Sequence, residues 1–245
     1  MRISKVGLAF VLAFLFVVGS GRQDSFSDSK LDRVTKRLQD VRAGLVVFRS
    51  IHGTFGSGFL IAPDKVLTAR HLLDPDYNEA TMNRVCFYND AGEPLGERGL
   101  KAFTLCGSAD IALVTLDAPA PEGCKPARLA SELPAWGQKI YLLGTPLDMV
   151  NVVFEGRYVG TSSSSTFGKQ RLVGVAAMPG DSGGPVVNED GEVIGLCSQT
   201  CQDFWSPSLM ASLEDIKAFI KLVGESNGQV HKEAEARCPS GSCGR

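Results

Sequence analysis

One serine lies within a glycine-rich stretch, Gly180–Pro185. Glycines allow a tight turn, which would expose the hydroxyl of Ser182 and leave neighbouring backbone N–H groups unengaged. A neutral hydroxyl attacks efficiently only beside a base, and the tetrahedral intermediate of acyl transfer needs preorganised donors for its oxyanion. The pattern therefore predicts Ser182 as a nucleophile, with the N–H groups of Gly180 and Ser182 as oxyanion donors.

The base that this chemistry requires has few candidates, because the chain contains 3 histidines. His231 lies in a polar C-terminal stretch, and His52 lies in a predicted hairpin, where a structural or solvated role is expected. His71 directly follows the run Val66–Arg70 and is expected at a strand end, where an imidazole can be held rigidly. We therefore predict His71 as the general base.

A carboxylate stands at the start of another apolar run, where Asp110 precedes Ile111–Val114. An unpaired charge buried at such a position is costly, so Asp110 is expected to have a partner. An imidazole N–H is suitable, because the carboxylate then fixes the tautomer and stabilises the imidazolium that forms. Asp110, His71 and Ser182 thus make a candidate catalytic triad.

Short β-rich runs, separated by Gly, Pro, Asn and Asp, occupy most of the chain from Gly44 onward. The predicted strands are Leu45–Phe48, Gly58–Ile61, Lys65–Thr68, Val85–Tyr88, Ile111–Leu116, Ile140–Leu143, Val150–Phe154, Arg171–Val175, Pro185–Val187 and Val193–Cys197. Many short strands without long intervening helices favour barrels or a sandwich. The serine run Ser162–Ser165 predicts a loop.

Two helices are predicted at the ends of this β-rich region. The first is indicated by apolar residues at helical spacing, Leu31, Val34, Leu38 and Val41. The second would begin at a capping pair, Ser212 and Asp215. Its apolar face comprises Leu213, Ile216, Phe219, Ile220 and Val223. The expected organisation is a signal peptide at 1–21, a segment with a short helix at 22–43, a catalytic domain at 44–224 and a flexible tail at 225–245.

The first residues have the composition of an export signal. Arg2 and Lys5 precede an uninterrupted apolar run, Val6–Val18, that is followed by small residues. The run is shorter than the roughly 20 residues that span a bilayer as a helix, so cleavage is favoured over a retained anchor. We expect a periplasmic or secreted protein with no stable membrane span after cleavage.

Charge and cysteine content narrow the class of partner. The 25 basic and 27 acidic residues leave a net charge of −2, and no basic stripe predicts a nucleic-acid partner. The 7 cysteines all follow the predicted signal, so disulfide bonds are permitted, with at least one thiol left over in a monomer. Their spacing fits neither a zinc ribbon nor a CxxC redox motif, and we expect no metal and no cofactor.

The chain resembles the chymotrypsin-like serine peptidases, and among them the bacterial HtrA/Deg type, over roughly residues 44–222. The resemblance rests on Gly56–Ile61, Leu67–His71, Asp110–Leu113, Gly144–Pro146, Gly180–Pro185 and Val187–Gly195. The order His, Asp, Ser is also that of the family. The resemblance implies an all-β double six-stranded β-barrel, a serine protease domain at 44–224, and no metal requirement. The peptide-binding PDZ modules that usually follow this domain are not expected here.

Two residues depart from the family pattern. Arg70 stands where a small residue commonly precedes the histidine, and it would either alter the substrate face or point to solvent. Digestive relatives pair the acid before the serine with a new N-terminus, but no Ile-Val-Gly-Gly start is present. An enzyme active without zymogen cleavage is favoured, with Asp181 compensated by an arginine or by backbone; processing at an unrecognised site stays open.

The resemblance also implies a specificity pocket. The family places the pocket floor about six positions before the nucleophile, which is Ala176 here, with Ala177 beside it. The opposite wall would come from Cys197, Ser198 and Gln199. Since none of these residues is acidic, we expect a small or medium apolar side chain before the scissile bond and poor cleavage after Lys or Arg.

The sequence thus predicts an exported serine endopeptidase that hydrolyses proteins or peptides through an acyl-enzyme intermediate. The main alternative is an inactive or latent protease fold that binds peptides or partner proteins without cleaving them. An esterase using the same chemistry is less favoured, because β-rich sequence rather than a helix follows Ser182.

Overall fold

The computed structural model describes residues 25–50, 55–74, 83–164, 168–200, 208–225 and 235–236. The predicted signal peptide, His52 and His231 lie outside these residues. Within the described ranges, no helix combines the length and the apolar character needed to cross a bilayer.

The chain divides into two compact units, Met1–Thr35 and Lys36–Arg245. The described part of the first unit is the beginning of helix α1, Ser25–Arg42, where Leu31 is exposed and Val34 is buried. The helix predicted from apolar spacing is therefore present. The second unit carries both barrels described below.

The first barrel is built from six antiparallel strands. They are β1 (Leu45–Arg49), β2 (Phe55–Ala62), β3 (Lys65–Thr68), β4 (Arg84–Tyr88), β5 (Pro94–Cys106) and β6 (Ala112–Leu116). Their order is β5-β4-β1-β2-β3-β6, and pairing of β5 with β6 closes the barrel. Phe48, Phe59 and Phe87 are buried.

The second barrel has the same closed form. Its region contains β7 (Arg128–Leu129), β8 (Lys139–Gly144), β9 (Val152–Ser164), β10 (Gly168–Gly174), β11 (Pro185–Asn188), β12 (Glu192–Thr200) and β13 (Ser208–Ser212). The order β11-β8-β9-β10-β13-β12 is closed by pairing of β11 with β12, and β7 flanks β12 in parallel. The core includes Ile140, Leu142 and Ile194. The predicted double six-stranded barrel is confirmed.

The sequence prediction missed one long strand and assigned a loop where the structure has a strand. Strand β5 escaped prediction because Pro94–Cys106 is half-exposed, contains Gly96 and Gly99, and lacks clean apolar alternation. The loop predicted over the serine run is also wrong, because Ser162–Ser164 form the end of β9 and pair with β10. Backbone hydrogen bonding across a hairpin stabilises a strand whatever the polarity of its side chains.

The second helix, α2, spans Leu213–Glu225. Ser212 Oγ lies 2.7 Å from Asp215 Oδ2, and the N–H of Asp215 donates back to Ser212 Oγ at 3.1 Å. The predicted capping pair is confirmed. Leu213, Ile216 and Phe219 are buried on its apolar face.

The region after α2, predicted as a flexible tail, contributes one short element to the described structure. Strand β14, Glu235–Ala236, pairs in parallel with β5 at Leu105 and Cys106. It thereby adds a short strand to the sheet of the first barrel at the end of β5.

The described residues contain no disulfide bond. Cys86, Cys106, Cys124 and Cys197 are thiols in this structure, and all but Cys124 are buried. The other three cysteines lie outside the described residues.

Candidate active site

His71 lies just beyond β3, on a single 3-10 turn formed by Arg70–Leu72. Its Nδ1 is 2.8 Å from Asp110 Oδ2, and its backbone N–H donates to Asp110 Oδ1 at 3.0 Å. One residue therefore engages both oxygens of the carboxylate, which fixes the orientation of the ring. Because Nδ1 faces Asp110 and the side chain is 31% exposed, Nε2 is left on the accessible side of the ring.

Asp110 lies in the short connection between β5 and β6. The N–H of Cys106 donates to Ile111 O at 2.9 Å, so the two ends of the connection are bonded to each other. Since β3 pairs with β6, the end of β3 and this connection lie side by side. The barrel thus brings together two residues that the sequence places far apart.

Ser198 makes a contact that the sequence did not predict. Its Oγ donates to Asp110 Oδ2 at 2.6 Å, whereas we expected it only in the pocket wall. The pairing of β12 with β13 passes from Cys197 to Gln199, so Ser198 is the extra residue of a β-bulge. Bulges redirect side chains, and this one directs Ser198 toward the carboxylate.

The surroundings raise the pKa of His71 and lower the pKa of Asp110, and both shifts favour the charged forms. Burial alone would lower the pKa of His71, but the hydrogen bond and charge of Asp110 raise it above its ordinary value. Burial would raise the pKa of Asp110, but the hydrogen bonds from His71 and Ser198 and the charge of His71 hold it below its usual range. Asp110 is therefore ionised at neutral pH and accepts the Nδ1 proton of His71.

The turn that carries Ser182 packs against the end of β3. The N–H of Ser57 donates to Ser182 O at 2.8 Å. A Cβ added at Gly183, whose φ is +83°, would clash with Thr68 Oγ1 and lie 2.8 Å from Ala69 N. Only glycine permits so close an approach. The approach places the turn that carries Ser182 beside Thr68 and Ala69, which precede Arg70 and His71.

The two predicted oxyanion donors lie on this turn. Within the described residues, the N–H groups of Gly180 and Ser182 donate to no acceptor. Gly180 has a φ of +104°, a conformation that L residues with side chains rarely adopt. Both N–H groups are thus available for an external acceptor.

The predicted pocket residues lie in two segments of the second barrel, the residues after β10 and strand β12. Ala176 and Ala177 follow the end of β10 and are partly exposed. Cys197 is instead 3% exposed within the barrel core, where burial raises the pKa of its thiol. The side chain of Gln199 lies outside the described part of the chain. In the described ranges, no cluster of His, Cys, Asp and Glu could hold a metal ion.

Arg70 does not point to solvent, because its guanidinium is engaged by structural contacts. Its Nε is 2.8 Å from Asp74 Oδ2, and its Nη1 donates to Cys106 O at 2.8 Å. Asp74 is buried. Arg70 therefore joins the turn that carries His71 to the end of β5, where the connection carrying Asp110 begins.

Asp181, which precedes Ser182 in the chain, is buried. Its Oδ2 accepts the N–H of Met178 at 2.8 Å, and its Oδ1 has no hydrogen-bond partner among the described residues. Burial raises the pKa of this carboxyl to about 6, although the bond from Met178 opposes the rise. The sequence suggested that an arginine or the backbone compensates the charge of Asp181. The backbone supplies one hydrogen bond, and no arginine among the described residues supplies another.

Two further polar residues at the site were not singled out from the sequence. Ser57 and Thr145 are fully buried, and each lies within hydrogen-bonding distance of Gly180 O. Both belong to motifs that carried the family resemblance. A hydroxyl inside an otherwise apolar run was the signal available, but nothing in the sequence could name its acceptor.

Comparison with known proteins gives the family directly. The family model of the trypsin-like peptidase domain matches residues 56–196, which is more than half of the chain. No curated protein sequence matches the chain significantly.

Solved structures of proteases share the fold. The Rv3671c protease from M. tuberculosis, in its active form, matches with a TM-score of 0.63 and 20% identity, covering 81% of this chain and 88% of its own. Deg5 gives a TM-score of 0.62 and 18% identity, with 83% and 97% covered. The HtrA-type protease AlgW gives 0.61 and 14%, with 80% and 64% covered. The resemblance inferred from the motifs is confirmed, and the chain belongs to the trypsin-like peptidase family of serine proteases.

Proposed function

We propose that this peptidase is an exported endopeptidase that hydrolyses peptide bonds through an acyl-enzyme on Ser182. In this mechanism His71 removes the proton from Ser182 Oγ as the hydroxyl attacks the scissile carbonyl, and returns it to the leaving amine. Asp110 orients His71 and stabilises the imidazolium. The second half-reaction repeats these steps with water as the nucleophile.

The observation that carries the proposal is the two-point contact between Asp110 and His71, at 2.8 Å and 3.0 Å. It selects the tautomer with the proton on Nδ1, so Nε2 is the basic nitrogen. The raised pKa of His71 makes it a stronger base than an isolated imidazole. These are the properties required of a group that activates a serine hydroxyl.

The N–H groups of Gly180 and Ser182 would stabilise the oxyanion of the tetrahedral intermediate. Neither is used within the described structure, and donors held before the reaction need no reorganisation as charge develops. Losing one such donor typically costs about 10²–10³ in kcat.

The residues near the nucleophile favour an apolar side chain before the scissile bond. Ala176 and Ala177 are small and uncharged, and Cys197 adds no charge from the buried side. A Lys or Arg side chain would meet no carboxylate from these residues. We therefore propose protein or peptide substrates cleaved after small or medium apolar residues.

Export rests on the sequence at 1–21, where basic residues precede an apolar run. The proposal places the mature protein in the periplasm or outside the cell. Edman sequencing of the mature protein would test it: a new N-terminus just after the apolar run supports export, and a chain that begins at Met1 in the cytosolic fraction contradicts it.

A serine-directed fluorophosphonate tests the nucleophile. We expect one adduct on Ser182 by peptide mass spectrometry, absent in Ser182→Ala and His71→Ala, and loss of peptide cleavage in both variants. Retained turnover in Ser182→Ala would sink the assignment. A folded wild-type sample that forms no adduct and cleaves no peptide would instead favour the inactive or latent protein that binds peptides or partners.

A further inference from the structure

Two fully buried hydroxyls lie where the two barrels meet behind the nucleophile's turn. Ser57 belongs to β2 of the first barrel, and Thr145 directly follows β8 of the second. Their oxygens are 2.9 Å apart. A buried hydroxyl is costly unless it is hydrogen-bonded, so the acceptors of this pair are informative.

Both hydroxyls converge on one carbonyl. Ser57 Oγ donates to Gly180 O at 2.7 Å, and Thr145 Oγ1 donates to the same oxygen at 3.1 Å. The N–H of Thr145 donates to Ser57 Oγ at 3.0 Å, which directs the Ser57 proton toward Gly180. A carbonyl oxygen has two lone pairs, so the pair saturates its accepting capacity.

These bonds fix one of the two peptide planes that flank Gly180. The other plane is held at Pro179 O, which accepts the N–H of Leu147 at 2.9 Å. In a trans peptide the N–H of Gly180 points opposite to Pro179 O, so this bond restrains the plane that carries the N–H, and the bonds to Gly180 O restrain the plane that follows it. With both planes held, Gly180 keeps its φ of +104°.

Ser57 also connects Gly180 to the rest of the site through its backbone. Its N–H donates to Ser182 O at 2.8 Å, and its carbonyl accepts the hydroxyl of Thr68 at 2.6 Å. Thr68 is the last residue of β3, shortly before His71. One residue of the first barrel therefore contacts the nucleophile, a proposed oxyanion donor and the strand that presents the base.

We propose that the Ser57–Thr145 hydroxyl pair positions the N–H of Gly180 for the oxyanion by holding Gly180 O. The inference rests on the proposed acyl-transfer function. Neither hydroxyl contacts the substrate, because both are fully buried. They are positioning residues, and their effect is confined to the steps in which negative charge develops on the substrate oxygen.

Such a role predicts a particular kinetic pattern. An interaction made only in the transition state changes kcat, whereas KM is largely unaffected. We expect Ser57→Ala to lower kcat about 10–100-fold and Thr145→Val about tenfold, since a misdirected donor loses part of the roughly 10²–10³ that a full donor contributes. The double variant should fall by less than the product of the two, because the hydroxyls act on one carbonyl.

Position 145 offers a matched pair of substitutions. Thr145→Val keeps the volume and removes the hydroxyl, while Thr145→Ser keeps the hydroxyl and removes the methyl. We expect Thr145→Ser to retain most of the wild-type kcat. Ser212→Ala removes a hydroxyl from the cap of α2, away from the site, and controls for lost stability.

The experiment measures kcat and KM on a fluorogenic peptide, and the affinity of a peptide trifluoromethyl ketone, which forms a tetrahedral adduct with the serine. Ser57→Ala and Thr145→Val should lower the affinity for the ketone by the same factor by which they lower kcat. The affinity for a cleaved product peptide should stay unchanged. Wild-type kcat in both variants overturns the inference. Equal losses in Thr145→Ser and Thr145→Val also overturn it, because packing and not the hydroxyl would then be responsible.

The outcome is separable from that of the proposed function. If the wild-type protein neither cleaves peptides nor binds the ketone covalently, the acyl-transfer proposal fails and the positioning role fails with it. If the wild type is active and the variants match it, only the positioning role is wrong. If Ser57→Ala does not fold, the comparison of Thr145→Val with Thr145→Ser still tests the positioning role.

Discussion

Ser198 and His71 share one oxygen of Asp110: Ser198 Oγ lies 2.6 Å and His71 Nδ1 lies 2.8 Å from Asp110 Oδ2. The other oxygen accepts the His71 N–H. The carboxylate is thus held by three donors from both barrels, and its negative charge is shared between the imidazole of His71 and the hydroxyl of Ser198.

Ser198→Ala should lower kcat/KM about tenfold, because a hydrogen bond to a charged group contributes about 1.5–3 kcal/mol and the two His71 bonds retain part of the alignment. With one donor removed, more of the Asp110 charge acts on His71 and raises its pKa. The acidic limb of the kcat/KM profile should therefore move to higher pH. An unmoved limb with full activity would contradict the role of Ser198, and Ser212→Ala serves as the control.

Asp110→Asn should lower kcat by about 10⁴, since the amide no longer selects the productive tautomer of His71. The same change removes the hydrogen bond and charge that raise the pKa of His71. Because the base must be neutral, activity rises with pH through that pKa, and the acidic limb should move to lower pH in the variant. If the residual activity is too low for a pH profile, NMR titration of the His71 ring gives its pKa directly. An unchanged pKa of His71 in the variant contradicts the prediction.

Asp181 should make folding stability depend on pH. Its pKa is raised from 3.8 to about 6, so the folded state binds more protons than the unfolded state between these values. Stability from this group is then present below pH 4 and lost as pH rises through 6, by about 3 kcal/mol. The free energy of unfolding of wild type minus that of Asp181→Asn should fall by this amount from pH 3.5 to 7.5 in urea titrations. A difference that does not vary with pH would show that burial does not perturb the group.

The parts of the fold that were predictable are those with a local signal. Apolar runs between turn residues located strands such as β3, and a capping pair located the start of α2. Strand β5 had no such signal, because its side chains are mostly half-exposed and its stability comes from pairing with β4 and β6. Backbone pairing between half-exposed strands leaves no apolar periodicity in the sequence, even when the partners are neighbours in the chain.

The same limit applied to the site. His71, Asp110 and Ser182 could be proposed because their residue types and order are informative without coordinates. The bonds of Ser57 and Thr145 to Gly180 and of Ser198 to Asp110 join residues from different barrels or strands. Such contacts depend on how the closed barrels meet and on a bulge in β12, and neither can be derived from spacing.

Arg70→Ala should destabilise the fold and reduce activity together. The variant loses the contact to Cys106 O and the ion pair with buried Asp74, and breaking a buried pair from one side costs about 3–5 kcal/mol. Because Arg70 adjoins His71, loosening of the turn should lower kcat more than it changes KM. Arg70→Lys keeps the charge but cannot reach both acceptors with a planar fork, so it should restore stability only in part.

Thermal unfolding and steady-state kinetics on Arg70→Ala, Asp74→Asn and the double variant separate charge from geometry. If loss of the ion pair accounts for most of the destabilisation in Arg70→Ala, the double variant should be more stable than Arg70→Ala, because it no longer buries an unpaired carboxylate. The kcat of the double variant should stay low, since the contact between Arg70 and Cys106 O that joins the His71 turn to β5 remains absent. Full recovery of kcat would mean that Arg70 serves only to neutralise Asp74 and does not position the base.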